Sequence, residues 1–60
     1  ARRSLVAQIN IEPGTILTSK MFSSKRPGTG ISPADLEQIL GRKTKTQINA
    51  EEVLTWDMVV

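Results

Sequence analysis

A twelve-residue segment occurs twice in this chain, and no other feature constrains the fold as much. Residues 11–22 read IEPGTILTSKMF and residues 48–59 read INAEEVLTWDMV. With an offset of 37, Ile11, Leu17, Thr18 and Met21 fall on Ile48, Leu54, Thr55 and Met58, and Ile16 and Phe22 fall on Val53 and Val59. Two copies are too few for a solenoid. Each copy predicts the same local path. A strand ends at Ile11 or Ile48. Glu12-Pro13-Gly14 then makes a turn, because Pro presets φ and Gly accepts a positive φ. Asn49-Ala50-Glu51-Glu52 does the same with weaker turn chemistry. Thr18 and Thr55 are placed to cap single helical turns through their hydroxyls. Met21 and Met58 follow three residues later and are expected to point back into the core. Two such units, related by a pseudo-two-fold axis, are expected to share one core.

Sharing is what a chain of 60 residues needs. A domain this small buries only roughly 60% of the surface its unfolded chain exposes. The hydrophobic fraction of 38% suits a compact domain and argues against disorder. Residues 5–10 (LVAQIN) and 43–48 (KTKTQI) predict strands, and residues 22–25 are a weaker candidate. One helix of about two turns is predicted after Ser32. Ser32 is the cap, Pro33 the first helical residue and Asp35 an acid in the first turn. Leu36, Ile39 and Leu40 form an apolar stripe, and Gly41 is the stop. The expected fold is one mostly-β domain over residues 1–60, with short strands, one short helix and single helical turns.

Composition removes whole classes of chemistry. The chain has no Cys and no His, so thiol, disulfide, imidazole and common zinc chemistry are absent. Its six acids are scattered without a chelating spacing. No apolar run approaches a membrane span, and no signal-peptide pattern is present. The start at Ala1 without an initiator Met leads us to expect a piece of a longer polypeptide. Net charge is +2, but residues 1–30 carry +4 and residues 31–60 carry −2. That asymmetry suits a solvated surface or a face toward an anionic partner. The only aromatics are Phe22 and Trp56. With no recognised motif, nucleic-acid binding is not expected. Trp56, inside the repeat, reads as a packing residue, and Arg2-Arg3 as the tail of a linker.

The stretch most like a site is Lys25-Arg26-Pro27-Gly28-Thr29-Gly30-Ile31. Pro27 disfavours the α region for Arg26 and holds it extended. Gly28 and Gly30 permit unusual φ/ψ or the close approach of a backbone or ligand. Thr29 adds a hydroxyl. Such a loop can present one guanidinium at a fixed angle, which suits oxygen-rich groups because Arg is a rigid fork of donors. It also reads, locally, as an ordinary turn before a helix with Arg26 solvated. Neither phosphate-binding glycine motif is present.

These residues carry a resemblance. The segments RRSLVA (2–7), I-x-P-G-x-x-L-T (11–18), KRPGTGISP (25–33), LGRK (40–43) and L-x-x-D-M (54–58) resemble the C-terminal SAF, or antifreeze-like, domain of bacterial sialic acid synthases and of related legionaminic and pseudaminic acid synthases. The resemblance covers essentially the whole chain. It implies a compact SAF or β-clip fold like that of type III antifreeze proteins, with an internal pseudo-two-fold repeat. It also implies that a catalytic TIM-type barrel, N-terminal in the parent protein, condenses phosphoenolpyruvate with N-acetylmannosamine or a related N-acyl sugar. The barrel would hold a divalent metal (Mn or Mg), with none in this domain. The parent would be a cytoplasmic, domain-swapped homodimer in which this domain covers the partner subunit's barrel. Arg26 would contact the sugar, with Pro27, Gly28, Thr29 and Gly30 shaping its loop. No residue of this domain would be catalytic, and no nucleic acid or membrane would be bound.

Two other functions use the same fold. Ice binding needs a flat, uncharged face. The positions corresponding to that face hold Gln8, Thr15 and Thr18 but also Ser19, Lys20 and Lys43, and the two lysines oppose it. SAF domains of periplasmic flagellar or pilus assembly factors bind proteins and do no chemistry. The intact Arg26–Ser32 segment favours the synthase.

Overall fold

A computed structural model describes residues 2–60. Strand β1 (Ser4–Ala7) pairs antiparallel with β2 (Phe22–Lys25), placing Ser4 opposite Lys25 and Ala7 opposite Phe22. All four β1 residues are buried, so an uninterrupted run covered on both faces replaces simple alternation. The strand is shorter than its sequence suggested. At Gln8 the chain bends away, and Ile9 is 51% exposed. The weaker candidate, residues 22–25, is a full strand, because β1 supplies the pairing that its own composition does not advertise.

The repeat is real in three dimensions and longer than the sequence similarity. At its axis, the Ile11 N–H donates to the Ile48 carbonyl at 2.7 Å and the Ile48 N–H donates back at 2.9 Å. Away from the axis, four further bonds have counterparts displaced by 37 residues. Leu54 N–H to Leu5 carbonyl (2.9 Å) is matched by Leu17 to Arg42 (2.8 Å). Ala7 to Glu52 (2.9 Å) is matched by Thr44 to Thr15 (3.1 Å). Glu51 to Ala7 (2.8 Å) is matched by Gly14 to Thr44 (2.8 Å). Gln8 to Met21 (2.8 Å) is matched by Lys45 to Met58 (2.7 Å). The halves therefore span residues 5–22 and 42–59, although LVAQ and RKTK share no character.

The two turns show why their chemistry differs. Gly14 has φ +82°, and Glu51, its counterpart, has φ +73°. Glycine adopts the left-handed region freely, whereas a Cβ makes it costly. The 3-10 turns Ser19–Met21 and Trp56–Met58 follow extended Thr18 and Thr55. Neither threonine hydroxyl caps its turn. That of Thr55 donates to the Asp57 carboxylate instead. Met21 and Met58 pack half-buried against the core, as expected.

Residues 43–48 correct the prediction of a strand. Only isolated bridges occur there: Lys43 with Ile16, Thr44 with Val59, and Ile48 with Ile11. The buried Thr44 hydroxyl donates to the Thr46 carbonyl (2.6 Å) and accepts from the Thr46 N–H (3.2 Å), folding the segment on itself. The helix is also shorter than two α turns. A 3-10 turn (Pro33–Asp35) leads into α1 (Leu36–Ile39), with the Ser32 hydroxyl accepting from Ala34 N–H at 3.1 Å. Gly41 ends it at φ +84°. Ile39 is fully buried and Leu36 packs against the core, but Leu40 turns extended at the cap and is 38% exposed.

Leu5, Ala7, Ile11, Leu17, Phe22, Ile31, Ile39, Ile48, Leu54 and Val59 form one core, drawn from both halves and from the link between them. Trp56 does not belong to it. As the first residue of its 3-10 turn, where the other half has Ser19, it points outward and is 46% exposed, which overturns the packing role expected for it.

Candidate functional site

The segment 26–31 leaves the end of β2 and lies against Arg2, the start of β1 and residues 53–54 of the second half before entering the capped helix. Arg26, Pro27 and Thr29 are exposed, while Gly28 and Gly30 are half-buried. The loop's base is fastened at three points. The Ser4 hydroxyl, fully buried, donates to the Pro27 carbonyl at 2.6 Å and accepts from the Gly30 N–H at 2.9 Å. Ile31 donates to the Leu54 carbonyl (2.9 Å) and accepts from Leu5 (2.8 Å), with its side chain 1% exposed. A hydroxyl satisfied on both sides costs nothing to bury and ties the two ends of a turn together. No local sequence signal points to this role of Ser4. A serine opening an apolar strand looks like a surface residue until the loop is seen over it.

The glycines answer to the chain itself. Neither adopts a positive φ. A Cβ at Gly30 would collide with the Leu54 carbonyl oxygen and Val53 Cγ1, and one at Gly28 would collide with Arg2 Cβ. The loop's tight seat against β1 and the second half explains both residues.

Charge gathers at this corner. Arg3 Nη1 donates to the Ser24 carbonyl at 3.1 Å. Lys25 pairs with Glu51 at 2.5 Å, the one salt bridge among the described residues, and both partners are more than half exposed. No side-chain hydrogen bond holds Arg26 among the described residues, so its guanidinium is free to engage something else. No pocket is found among the described residues. No three acids among them gather as a metal site, and no helix is long and apolar enough to cross a membrane.

Residues 2–60 match the SAF domain family. This chain belongs to that family. The SAF domain is 44% identical over 57 residues to the uncharacterized protein MJ1065 of Methanocaldococcus jannaschii, covering 95% of this chain and 17% of that one. It is 28% identical over 58 residues to the N,N'-diacetyllegionaminic acid synthase of Legionella pneumophila, covering 97% of this chain and 16% of that one. The chain therefore spans about one sixth of these relatives' length. Its fold matches the solution structure of the antifreeze protein-like domain from the human N-acetylneuraminic acid phosphate synthase gene, with a TM-score of 0.90 and 29% identity. That match covers 95% of this SAF domain and 73% of the human one. The domain is thus an antifreeze-like module related to synthases of sialic and legionaminic acids.

Proposed function

We propose that this SAF domain is the lid of a sialic-acid-type synthase, which condenses phosphoenolpyruvate with N-acetylmannosamine or a related N-acyl sugar. Arg26 contacts the sugar, and Pro27, Gly28, Thr29 and Gly30 hold the loop that presents it. The observation carrying this reading is an exposed, unpartnered arginine on a loop whose base is bolted to the core through Ser4 and Ile31.

A lid reading suits a surface without a concavity of its own. Small-ligand sites bury most of their ligand, and an exposed loop covers one side of it only. The remaining walls belong, in this proposal, to the barrel of the parent enzyme, contributed by the other subunit of a homodimer. Closing such a site excludes water and strengthens the electrostatics inside. A rigid loop also loses little entropy when it meets the sugar. Arg26 acts by binding and orientation, holding the sugar for carbon–carbon bond formation. This chain's dispersed acids do not fit the divalent metal of such enzymes, and no step here runs through one.

The test is condensation kinetics in the full-length parent, with Arg26→Ala beside the unaltered enzyme. A charge-assisted hydrogen bond is worth roughly 1.5–3 kcal/mol, so kcat/KM falls about 10- to 150-fold. Unchanged kinetics in an active parent reduces Arg26 to a turn residue. An inactive parent, also tried with di-N-acetylated bacterial sugars, removes the synthase reading.

A further inference from the structure

We propose that Arg2, Arg3 and Arg26 form a binding corner for a small oxyanion, a phosphate or a carboxylate. Ser4 and Lys25 are the last pair of the β1–β2 ladder. Arg3 precedes one and Arg26 follows the other, so the two stand across from each other at the open end of the hairpin. Arg2 lies one residue further out and is packed against Gly28. The backbone thus places three arginines around one end of the β1–β2 pair.

Four of the chain's six acids are engaged elsewhere. Glu51 is taken by Lys25. Glu52 accepts from the Asn49 N–H, Asp35 from the Gln38 amide and Asp57 from the Thr55 hydroxyl. No carboxylate among the described residues bonds Arg2, Arg3 or Arg26. The adjoining loop adds donors. The Thr29 hydroxyl is exposed, and the N–H groups of Gly28 and Thr29 meet no protein acceptor among the described residues. The Pro27 carbonyl, an acceptor that would repel an anion, faces inward to the Ser4 hydroxyl.

A surface rich in donors and poor in acceptors recognises an oxyanion. Guanidinium forks match the spacing of carboxylate and phosphate oxygens, and backbone N–H groups can complete the shell. Arg3 is already oriented, since one of its nitrogens is held by the Ser24 carbonyl and the rest of the fork is left for a ligand. The other exposed cations, Lys20, Arg42, Lys43 and Lys45, do not adjoin this loop in sequence and have no side-chain hydrogen bond that orients them among the described residues. The corner does not depend on the synthase reading. Direct anion binding tests one and condensation kinetics the other, so either can fail alone.

The experiment is an NMR titration of the 15N-labelled chain with inorganic phosphate, and separately with acetate, against sodium chloride at matched ionic strength. We expect saturable shifts at the amides of Arg2, Arg3, Gly28 and Thr29 and at the arginine side-chain N–H groups. Arg3→Gln should weaken binding roughly 3- to 10-fold, and Lys43→Gln should leave it unchanged. Unmoved Gly30 and Ile31 amides in free Arg3→Gln will show that the loop is still seated. If that variant does not fold, Arg2→Gln takes its place. Saturation by phosphate alone assigns a phosphorylated ligand, and by acetate alone a carboxylated one. Shifts that merely follow ionic strength, or equal losses from Arg3→Gln and Lys43→Gln, overturn the proposal.

Discussion

Gly30→Ala separates two explanations of the loop's glycines. If Gly30 is there so that a ligand can approach, alanine leaves the isolated domain intact and harms only binding. The geometry argues for packing. A Cβ at Gly30 collides with the backbone oxygen of Leu54 and with Val53 Cγ1, and a backbone atom in a bonded ladder cannot swing aside. Overpacking of this kind costs about 1–3 kcal/mol. Relief by moving the loop breaks the 2.9 Å bond from Ile31 to Leu54, for about a further 0.5–1.5 kcal/mol. The sum, about 1.5–4.5 kcal/mol, is a large part of the roughly 3–9 kcal/mol expected for a domain of this length. It lowers Tm by about 12–35 °C. Thermal and urea unfolding followed by circular dichroism will read it. Gly14→Ala is the internal standard: nothing lies within 4 Å of its added Cβ, so only the strain of φ +82° remains, about 1–2 kcal/mol. Gly28→Ala brings its Cβ against Arg2 Cβ and the Arg2 backbone, and is expected to show an overpacking cost of about 1–3 kcal/mol. If Gly30→Ala unfolds within about 0.5 kcal/mol of the parent while the Ile31 amide stays protected from exchange, the packing argument is wrong.

Ser4→Ala removes a hydroxyl with a partner on each side and leaves the Pro27 carbonyl and Gly30 N–H unanswered; we expect a loss of about 1–3 kcal/mol in urea unfolding and faster amide exchange at Gly30. Ile39→Ala should cost about 2–5 kcal/mol because its side chain is fully buried. Leu40→Ala should cost less than about 1 kcal/mol, reversing the equality that the apolar stripe suggested; parallel thermal melts compare the two.

What could be read from the sequence was local. The repeat was visible because Ile11 and Ile48, Leu17 and Leu54, and Met21 and Met58 do the same packing job with the same side chains. Its extension to residues 5–8 and 42–45 was not, since those segments match only in backbone bonding. Leu40 kept helical spacing on paper but lies beyond the last α turn. Thr18 and Thr55 stand at the cap positions, yet a 3-10 turn satisfies its N–H groups without their hydroxyls. Residues 43–48 have strand-forming threonines, but the buried Thr44 spends its hydroxyl on Thr46. At the site, the special character of residues 26–30 was legible from Pro27 and the two glycines. Ser4 was hidden because its partners lie 23 and 26 residues away. Trp56 lies inside the repeat, but a place in the repeat does not mean burial, and its counterpart Ser19 marks the position as outward.

The bonds between Leu5 and Leu54, Ala7 and Glu52, Gly14 and Thr44, Leu17 and Arg42, and Ile11 and Ile48 all run from one half to the other. What each half keeps to itself is small: the four-pair β1–β2 ladder in the first and the Thr44–Val59 bridge in the second. Because the core is drawn from both halves, cutting the chain in the helix linking them would leave each fragment without most of its buried contacts, and stable folding would require the two to meet. The same lacing couples the loop to distant residues: Ile31 is seated on Leu54, so the second half must be in place before Arg26 has a fixed base. A damaging substitution anywhere along the axis would therefore be felt at the loop as a loss of population, with the surviving molecules keeping their normal geometry.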